Sequence, residues 1–148
     1  MKKLLLSFIT LLAVGVTSFQ AHAQDAIQLD GAAIEFTKET HDYGTIAYGS
    51  DGHCTFEFKN TGTAPLIISK ANKSCGCTVP SWPQEPILPG ETAVIKVKYD
   101  TKRPGAINKS VTIVSNAVNA PSAIIRIKGN VLPKPTAAAP VVSSGPTN

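Results

Sequence analysis

The sequence predicts an all-β protein that folds as an antiparallel β-sandwich of about seven strands. Three observations predict this fold class. In several short runs, apolar residues alternate with polar ones at a period of two, which is typical of half-buried strands. Turn-forming residues separate these runs, and no stretch of ten or more residues carries a helical apolar stripe. Six or seven short strands in about 100 residues are the usual content of a two-sheet sandwich.

The individual strands follow from this alternation. In HCTFEFKN, we expect Cys54, Phe56 and Phe58 on one face and their polar neighbours on the other. The continuous apolar run PLIIS (65–69) predicts a strand covered on both faces, and AIEF (33–36) predicts a weaker first strand. The same alternation predicts these inward positions for three later strands: Ile95, Val97 and Tyr99; Ile107, Val111 and Ile113; Ile125, Ile127 and Val131.

Four turn signals lie between these strands. They are NTG at 60–62, PGE at 89–91, RPG at 103–105 and NAVNAP at 116–121. Glycine and asparagine tolerate positive φ, and proline has a nearly constant φ, so each of these segments ends a strand for a physical reason.

The first 23 residues are predicted to be a signal peptide. Lys2 and Lys3 precede an apolar run at 4–16, and AHA at 21–23 has the small-x-small pattern that signal peptidase recognises. The apolar run is shorter than the roughly 18–20 residues of a spanning helix, so we expect no transmembrane anchor after cleavage at Ala23. The mature chain is then divided into a flexible lead-in at 24–32, the β-sandwich domain at 33–132 and a Pro/Ala/Ser-rich disordered tail at 133–148.

The charge pattern argues against nucleic-acid binding. The formal charge of the whole chain is +4, and loss of Lys2 and Lys3 with the signal peptide leaves the mature chain near +2. The remaining lysines occur singly with few aromatic residues between them, whereas a nucleic-acid surface needs clustered basic side chains. We expect no nucleic-acid partner.

A set of motifs closely resembles the DUF1573 family, exported domains of unknown function that are abundant in Bacteroidota. The motifs are F-x-F-x-N-T-G, P-L-I-I, S-C-G-C-T, P-x-W-P, L-P-G-E and R-P-G-x-x-N-K, and they span roughly residues 55–116. The resemblance implies an immunoglobulin-like sandwich related to the ASH and PapD-like domains, in the periplasm or outside a Gram-negative cell. It implies no activity, because a fold alone does not define one.

Cys54, Cys75 and Cys77 are the candidate redox or disulfide residues. An exported protein meets an oxidising compartment in which thiols pair, but three cysteines cannot all pair within one chain. We expect Cys54 to be a small buried residue that packs beside Phe56 and Phe58. A bridge from Cys54 to Cys75 or Cys77 is the alternative.

The stretch Cys75-Gly76-Cys77 leaves three roles open. In an extended chain, Cα atoms two residues apart are about 6.6–7.2 Å apart, which is at or beyond the roughly 4.4–6.8 Å found in disulfides. Gly76 permits the kink that closes this gap, in a bridge that is strained and easily reduced. A structural bridge, a labile redox pair and a weak copper or zinc site are the alternatives, although only His41 and His53 remain as further ligands.

Trp82 is the candidate partner-binding residue. It lies between Pro80 and Pro83, and an exposed aromatic side chain on a stiff loop is a common anchor for a partner. We favour the alternative that Trp82 folds back over one end of the sandwich, because a single indole in a small domain usually finds cover.

No catalytic constellation is present in the sequence. There is no serine in a nucleophile elbow and no glycine-rich phosphate loop before a helix, and Asp42, Glu57 and Glu85 are dispersed. We therefore expect a non-enzymatic, exported module of the bacterial cell envelope, periplasmic or secreted and without a cofactor, that binds a protein or glycan or has a structural role. The alternative is a thiol redox or copper-handling protein that uses Cys75 and Cys77.

Overall fold

The computed structural model describes residues 30–136, which contain eight strands. They are β1 Ile34–Phe36, β2 Thr40–Ile46, β3 His53–Asn60, β4 Ile68–Lys73, β5 Thr78–Ser81, β6 Thr92–Tyr99, β7 Gly105–Ser115 and β8 Ser122–Val131. The predicted signal peptide, the lead-in before Asp30 and the tail beyond residue 136 lie outside the described residues. Between residues 30 and 136, no helix has the length and apolar character needed to cross a bilayer.

The strands form two four-stranded sheets. The first sheet has the order β1-β3-β6-β5 and the second the order β2-β8-β7-β4. All pairs are antiparallel except β2 with β8, which is parallel. The predicted β-sandwich is therefore confirmed, with one parallel pair at the edge of the second sheet.

The core lies between the two sheets and is built from alternate residues of the long strands. Burial along β3 alternates residue by residue from exposed His53 to buried Asn60. The inward positions predicted for β3, β6, β7 and β8 are confirmed, and Phe56, Phe58 and Ile95 are at most 1% exposed. Burying one such side chain stabilises the fold by about 1.5–3 kcal/mol, so these alternating positions hold the sheets together.

The apolar–polar pattern of the sequence does not predict strands β2 and β5. β2 (THDYGTI) is polar and alternates only weakly, and it is held at the sheet edge by pairing with β8, from Thr40 beside Arg126 to Ile46 beside Val131. β5 contains Pro80, which is tolerated because β5 is an edge strand that pairs only with β6. Both strands exist through pairing with distant segments.

The interpretation of PLIIS as a strand covered on both faces is wrong. Leu66 and Ile68 are buried, but Ile67 between them is 45% exposed. β4 begins only at Ile68 and is an edge strand that pairs with β7 alone. A continuous apolar run therefore does not distinguish a two-sided strand from a one-sided strand with an exposed isoleucine.

The buried side chain of Asn60 ties the end of β3 to two other segments. Its amide nitrogen donates to the carbonyls of Ala64 (2.8 Å) and Ile87 (2.9 Å), and its oxygen accepts from the N–H groups of Gly62 (3.0 Å) and Ala33 (3.3 Å). All four hydrogen-bonding sites of the amide are thus satisfied. The asparagine of the NTG motif is a structural clamp as well as a turn former.

The chain preceding β1 packs against this clamp. The N–H of Thr63 donates to the carbonyl of Gly31 (2.7 Å), and Ala32 is only 2% exposed. A Cβ atom at Gly62 would collide with the Gly31 carbonyl oxygen, so this close approach requires glycine at position 62. Gly31 and Ala32 therefore lie in the packed domain, although the sequence pattern predicts that they belong to the lead-in.

Asn60→Ala is expected to lower the free energy of unfolding by about 3–5 kcal/mol, because it leaves several buried backbone groups without a partner. Urea unfolding followed by circular dichroism measures this loss. Asn108→Ala, at an exposed position of β7, is the matched control and should change the value by no more than about 0.5 kcal/mol. Equal effects of the two substitutions would contradict the clamp.

Candidate functional site

Three connections between strands meet at one end of the sandwich. They are residues 47–52 between β2 and β3, 74–77 between β4 and β5, and 100–104 between β6 and β7. The connection at 74–77 carries the chain from the second sheet to the first. The N–H of Asp100 donates to the carbonyl of Cys77 (2.9 Å), so the second and third connections are joined directly.

Three further hydrogen bonds join the first connection to the end of β6 and to the third connection. The N–H of Tyr99 donates to the carbonyl of Gly52 (2.8 Å), and the N–H of Gly49 donates to the carbonyl of Thr101 (3.1 Å). The buried hydroxyl of Thr101 donates to the carbonyl of Ser50 (2.6 Å). A Cβ atom at Gly52 would collide with the Tyr99 carbonyl oxygen, so the contact requires glycine there.

A cleft of about 490 Å³ lies among these connections. Small residues, Gly76 and Cys77 among them, form part of its lining. The wall carries charges of both signs and the exposed apolar side chain of Val79, which is 56% exposed. The acidic, basic and histidine residues of the lining are Asp51, His53, Lys98, Asp100 and Lys102.

Cys75 and Cys77 form a disulfide at the border of this cleft. Their Cα atoms are 5.3 Å apart, shorter than in an extended chain and inside the usual range for disulfides. The loop that the bridge closes is very short, so loop-closure entropy stabilises the fold by only roughly 1.5 kcal/mol, about half of the value for a 15-residue loop. The bridge therefore adds little to the stability of the fold.

The backbone does not require glycine at position 76. The φ angle of Gly76 lies outside the left-handed range, and a Cβ atom placed on it would have no residue other than its chain neighbours Cys75 and Cys77 within 4 Å. The kink that Gly76 permits is present, since the two Cα atoms are 5.3 Å apart, but it does not use a left-handed φ. What the glycine does provide is the absence of a side chain beside the disulfide, on the exposed side that faces the cleft.

The two sulfur atoms have different surroundings. Cys75 is half-buried, whereas Cys77 is only 6% exposed. The N–H of Cys77 donates to Sγ of Cys75 (3.2 Å). The fully buried Thr78 places its hydroxyl 3.6 Å from Sγ of Cys75 and 3.9 Å from Sγ of Cys77. The more accessible sulfur thus has the better set of hydrogen-bond donors.

Cys54 is not part of this arrangement. It is unpaired and buried on the inward face of β3, and β6 lies between β3 and β5. Strands that are two positions apart are separated by about 10 Å, which is too far for a disulfide. Burial raises the pKa of the Cys54 thiol, despite the opposing effect of its hydrogen bond with Tyr43, so the thiol stays protonated.

Of the two histidines in the described part of the chain, His53 lines the same cleft as Cys77 and His41 does not. His53 points outward on β3, opposite to Cys54, and its Nδ1 is 2.6 Å from Oδ1 of Asp51. His41 on β2 packs edge-on against Tyr43, and burial lowers its pKa. Within residues 30–136, no group of three or more histidine, cysteine, aspartate or glutamate side chains is arranged to hold a metal ion.

Trp82 covers one end of the core. The indole is partly buried against the hydrophobic cluster, and its Nε1 donates to the carbonyl of Ile68 (3.3 Å) at the start of β4. This contact joins the segment after β5 to the edge of the opposite sheet. The indole is therefore not a freely exposed anchor, whereas Val79 on β5 is 56% exposed.

Exposed aspartates accept backbone hydrogen bonds in the connections at this end. Oδ1 of Asp51 accepts from the N–H of His53 (3.0 Å), and Oδ1 of Asp100 accepts from that of Lys102 (3.1 Å). These hydrogen bonds are the largest cause of a lowered pKa at both carboxylates, and Arg103 adds to the effect at Asp100. Both groups are thus held in the charged form, which shapes the rim of the cleft.

Sequence reasoning identified the cysteine pair but missed most of the residues around it. Thr78, Val79 and Lys98 are single residues in strands, and no spacing in the sequence connects them to 47–52 or 100–104. Only the turn signal at 103–105 marks this end of the domain, because the cleft arises where connections distant in sequence come together.

The two sheets and their connections define the domain as an immunoglobulin-like β-sandwich. A family model described as "Protein of unknown function (DUF1573)" matches residues 34–131. The chain therefore belongs to the DUF1573 family, which confirms the resemblance found in the sequence. Among curated proteins, none matches this chain in sequence.

Several solved structures have the same fold. A protein of unknown function from Porphyromonas gingivalis W83 is 19% identical with a TM-score of 0.61, over 68% of this chain and 47% of that one, so this chain spans about half its length. The ASH/PapD-like domain 7 of human CEP192 is 10% identical with a TM-score of 0.54, over 70% and 87% of the two chains. The secreted serine protease VesC from Vibrio cholerae is 10% identical with a TM-score of 0.52, over 67% of this chain and 23% of that one. Likeness at these identities shows the fold alone.

Trp82→Ala is expected to lower the free energy of unfolding by about 2–3 kcal/mol, because a partly buried indole leaves the end of the core. Urea unfolding monitored by circular dichroism tests this value. Val79→Ala, at an exposed neighbouring position, is the control and should cost less than about 0.5 kcal/mol. A loss at Trp82 as small as that of the control would show that the indole does not cover the core.

Asp100→Asn is expected to reduce stability at pH 7, and its difference from wild type should shrink as the pH falls through the folded-state pKa of Asp100. Because the folded state lowers the pKa of Asp100 below its ordinary value of 3.8, its charge stabilises the fold above that value and the contribution is lost as pH falls through the folded pKa. Urea unfolding over a series of decreasing pH values measures the difference between variant and wild type. Asp100→Ala also removes the acceptor for Lys102, so its cost should remain at low pH. A difference for Asp100→Asn that does not change with pH would contradict the charge effect.

Proposed function

We propose that this chain is an exported, non-enzymatic binding module of the bacterial cell envelope, and that it binds a protein partner through the cleft at 47–52, 74–77 and 100–104. The observation that carries the proposal is the cleft itself. Its three connections are hydrogen-bonded to one another, so the surface is organised before a partner arrives, and preorganisation lowers the cost of binding.

The chemistry of the wall favours a polypeptide over a small substrate. Val79 offers an exposed apolar contact, and Lys98 and Lys102 lie among the lining residues with Asp51 and Asp100. An apolar contact surrounded by charges of both signs is typical of the core and rim of a protein interface. The carboxylates of Asp51 and Asp100 accept backbone N–H groups, which is a structural role.

Export is supported by the features of the first 23 residues, and the envelope is supported by the family resemblance. The basic start at Lys2 and Lys3, the apolar run at 4–16 and the AHA motif at 21–23 are the parts of a secretory signal peptide. The family and the fold of the Porphyromonas protein agree with a bacterial module of the DUF1573 type.

Fractionation of a Bacteroidota host that expresses the full chain tests the export. We expect the protein outside the cytoplasm, with Gln24 as its first residue by N-terminal sequencing. A replacement of Ala21 and Ala23 by arginine should leave the precursor uncleaved, because signal peptidase needs small residues at these positions. An unprocessed wild-type chain in the cytoplasm would overturn this part of the proposal.

Site-specific photo-crosslinking in the same cells tests the cleft. A photoreactive residue at Val79 is expected to give discrete protein adducts, whereas one at Ile124 should give few. Ile124 is the matched control because it is 45% exposed but lies in the second sheet, on β8. Equal adducts at both positions would contradict a specific site, and adducts that disappear with glycosidase but not protease would indicate a glycan ligand instead.

A further inference from the structure

We propose that the Cys75–Cys77 disulfide is a thiol–disulfide exchange site that accepts electrons from a dithiol, with Cys75 as the attacked sulfur. The proposal goes beyond the binding function and does not depend on it, because it concerns the chemistry of the bridge itself. Four structural features carry it: the position of the bridge, its lack of cover, the difference between its two sulfurs and the independence of the fold from it.

The bridge is accessible from one side. It borders the cleft, where Gly76 and Cys77 form part of the lining. Gly76 is exposed and has no positive φ, and apart from Cys75 and Cys77 no residue lies within 4 Å of a Cβ atom placed there. Glycine is therefore not required for folding at this position, but it leaves a path along which a thiolate can reach the sulfur atoms.

The two sulfurs are suited to different roles. Cys75 is half-buried and lies beside the cleft without lining it, whereas Cys77 lines the cleft but is only 6% exposed. The N–H of Cys77 at 3.2 Å and the hydroxyl of Thr78 at 3.6 Å are both directed at Sγ of Cys75. Hydrogen-bond donors stabilise a thiolate, so these groups favour Cys75 as the nucleophile of the reduced pair.

The fold does not rely on the bridge. β4 is held by pairing with β7 and β5 by pairing with β6, and the N–H of Asp100 binds the carbonyl of Cys77. The connection at 74–77 is further fixed where the N–H of Ser74 donates to the carbonyl of Ser110 (3.0 Å). Opening the bridge therefore leaves both flanking strands in place.

The exchange balances in two steps. A thiolate of the dithiol attacks Sγ of Cys75, a bond forms between these two sulfurs, and the bond between Cys75 and Cys77 breaks. The electron pair remains on Sγ of Cys77, which takes up a proton from water. The second thiolate of the dithiol then attacks its own partner sulfur in the mixed disulfide and releases Cys75 as a thiolate. The dithiol is oxidised to a disulfide by two electrons, and the pair in this chain is reduced to two thiols.

Glutathione is the probe for the first test, with two molecules in place of one dithiol, in a Cys54→Ala background that removes the third thiol. We expect the mature chain to be reduced by 10 mM reduced glutathione at pH 7 and reoxidised by glutathione disulfide, as measured by alkylation and mass spectrometry. Reduction should leave the circular dichroism spectrum unchanged and lower Tm by less than about 10 °C, because the closed loop is short. Resistance to glutathione, or unfolding on reduction, would overturn the proposal.

Gly76→Val provides the sharpest test, since it covers the bridge and its Cβ atom approaches no residue other than Cys75 and Cys77 within 4 Å. We expect an unchanged Tm in the oxidised form but a rate of reduction by dithiothreitol that is lower by about fivefold or more, because access governs exchange. A purely structural bridge would show no requirement for glycine here. A rate equal to that of wild type would contradict the proposed path of attack.

Single-cysteine variants separate the roles of the two sulfurs. The remaining Cys75 in Cys77→Ser is expected to react with glutathione disulfide about tenfold faster at pH 7 than the remaining Cys77 in Cys75→Ser. Thr78→Val should shift the pH profile of Cys75 alkylation to higher pH, and Thr78→Ser, which keeps the hydroxyl, should restore it. A faster reaction at Cys77, or a pH profile that Thr78→Val does not move, would reverse or remove the assigned roles.

Discussion

The chain passes repeatedly between two sheets that enclose one apolar core. At each passage, backbone N–H and C=O groups that no longer pair with a neighbouring strand need other hydrogen-bond partners. A buried backbone donor or acceptor without a partner destabilises the fold by an amount comparable to a lost hydrogen bond. Asparagine side chains meet this requirement at the end of the sandwich where β3 finishes. Asn60 satisfies four backbone groups, and Asn119 pairs with both the N–H and the carbonyl of Ile34.

At the end where β3 begins, the backbone groups find their hydrogen-bond partners in a different way. There the connections satisfy one another: Gly52 bonds to Tyr99, Thr101 to Gly49 and Ser50, and Asp100 to Cys77. A cleft lies at each end, about 490 Å³ among these connections and about 380 Å³ beside Asn60. The candidate site is assigned to the end that is closed by contacts between connections, because the disulfide borders the cleft there.

The disulfide belongs to this second end, but the closure does not depend on it. The sheets are held by the alternating core positions and by strand pairing, and the bridge closes too short a loop to add much. A bond that is dispensable for the fold is free to open and close. The same fold in proteins only 10–19% identical to this chain shows that the sandwich accommodates very different sequences, so the chemistry of this chain lies in its connections.

The sequence by itself determined the sandwich, the inward faces of β3, β6, β7 and β8, and the family. These features are local, because alternation of side chains and turn chemistry act within a few residues. Only the tertiary structure decided the polar edge strand β2, the strand β5 with its proline, the exposure of Ile67 and the cover that Trp82 provides. The cleft and the uncovered bridge at Gly76 belong to this second group, since they arise from segments more than 20 residues apart that meet through backbone hydrogen bonds. Periodicity carries no information about such meetings, because the contacts that create them are not between neighbours in the chain.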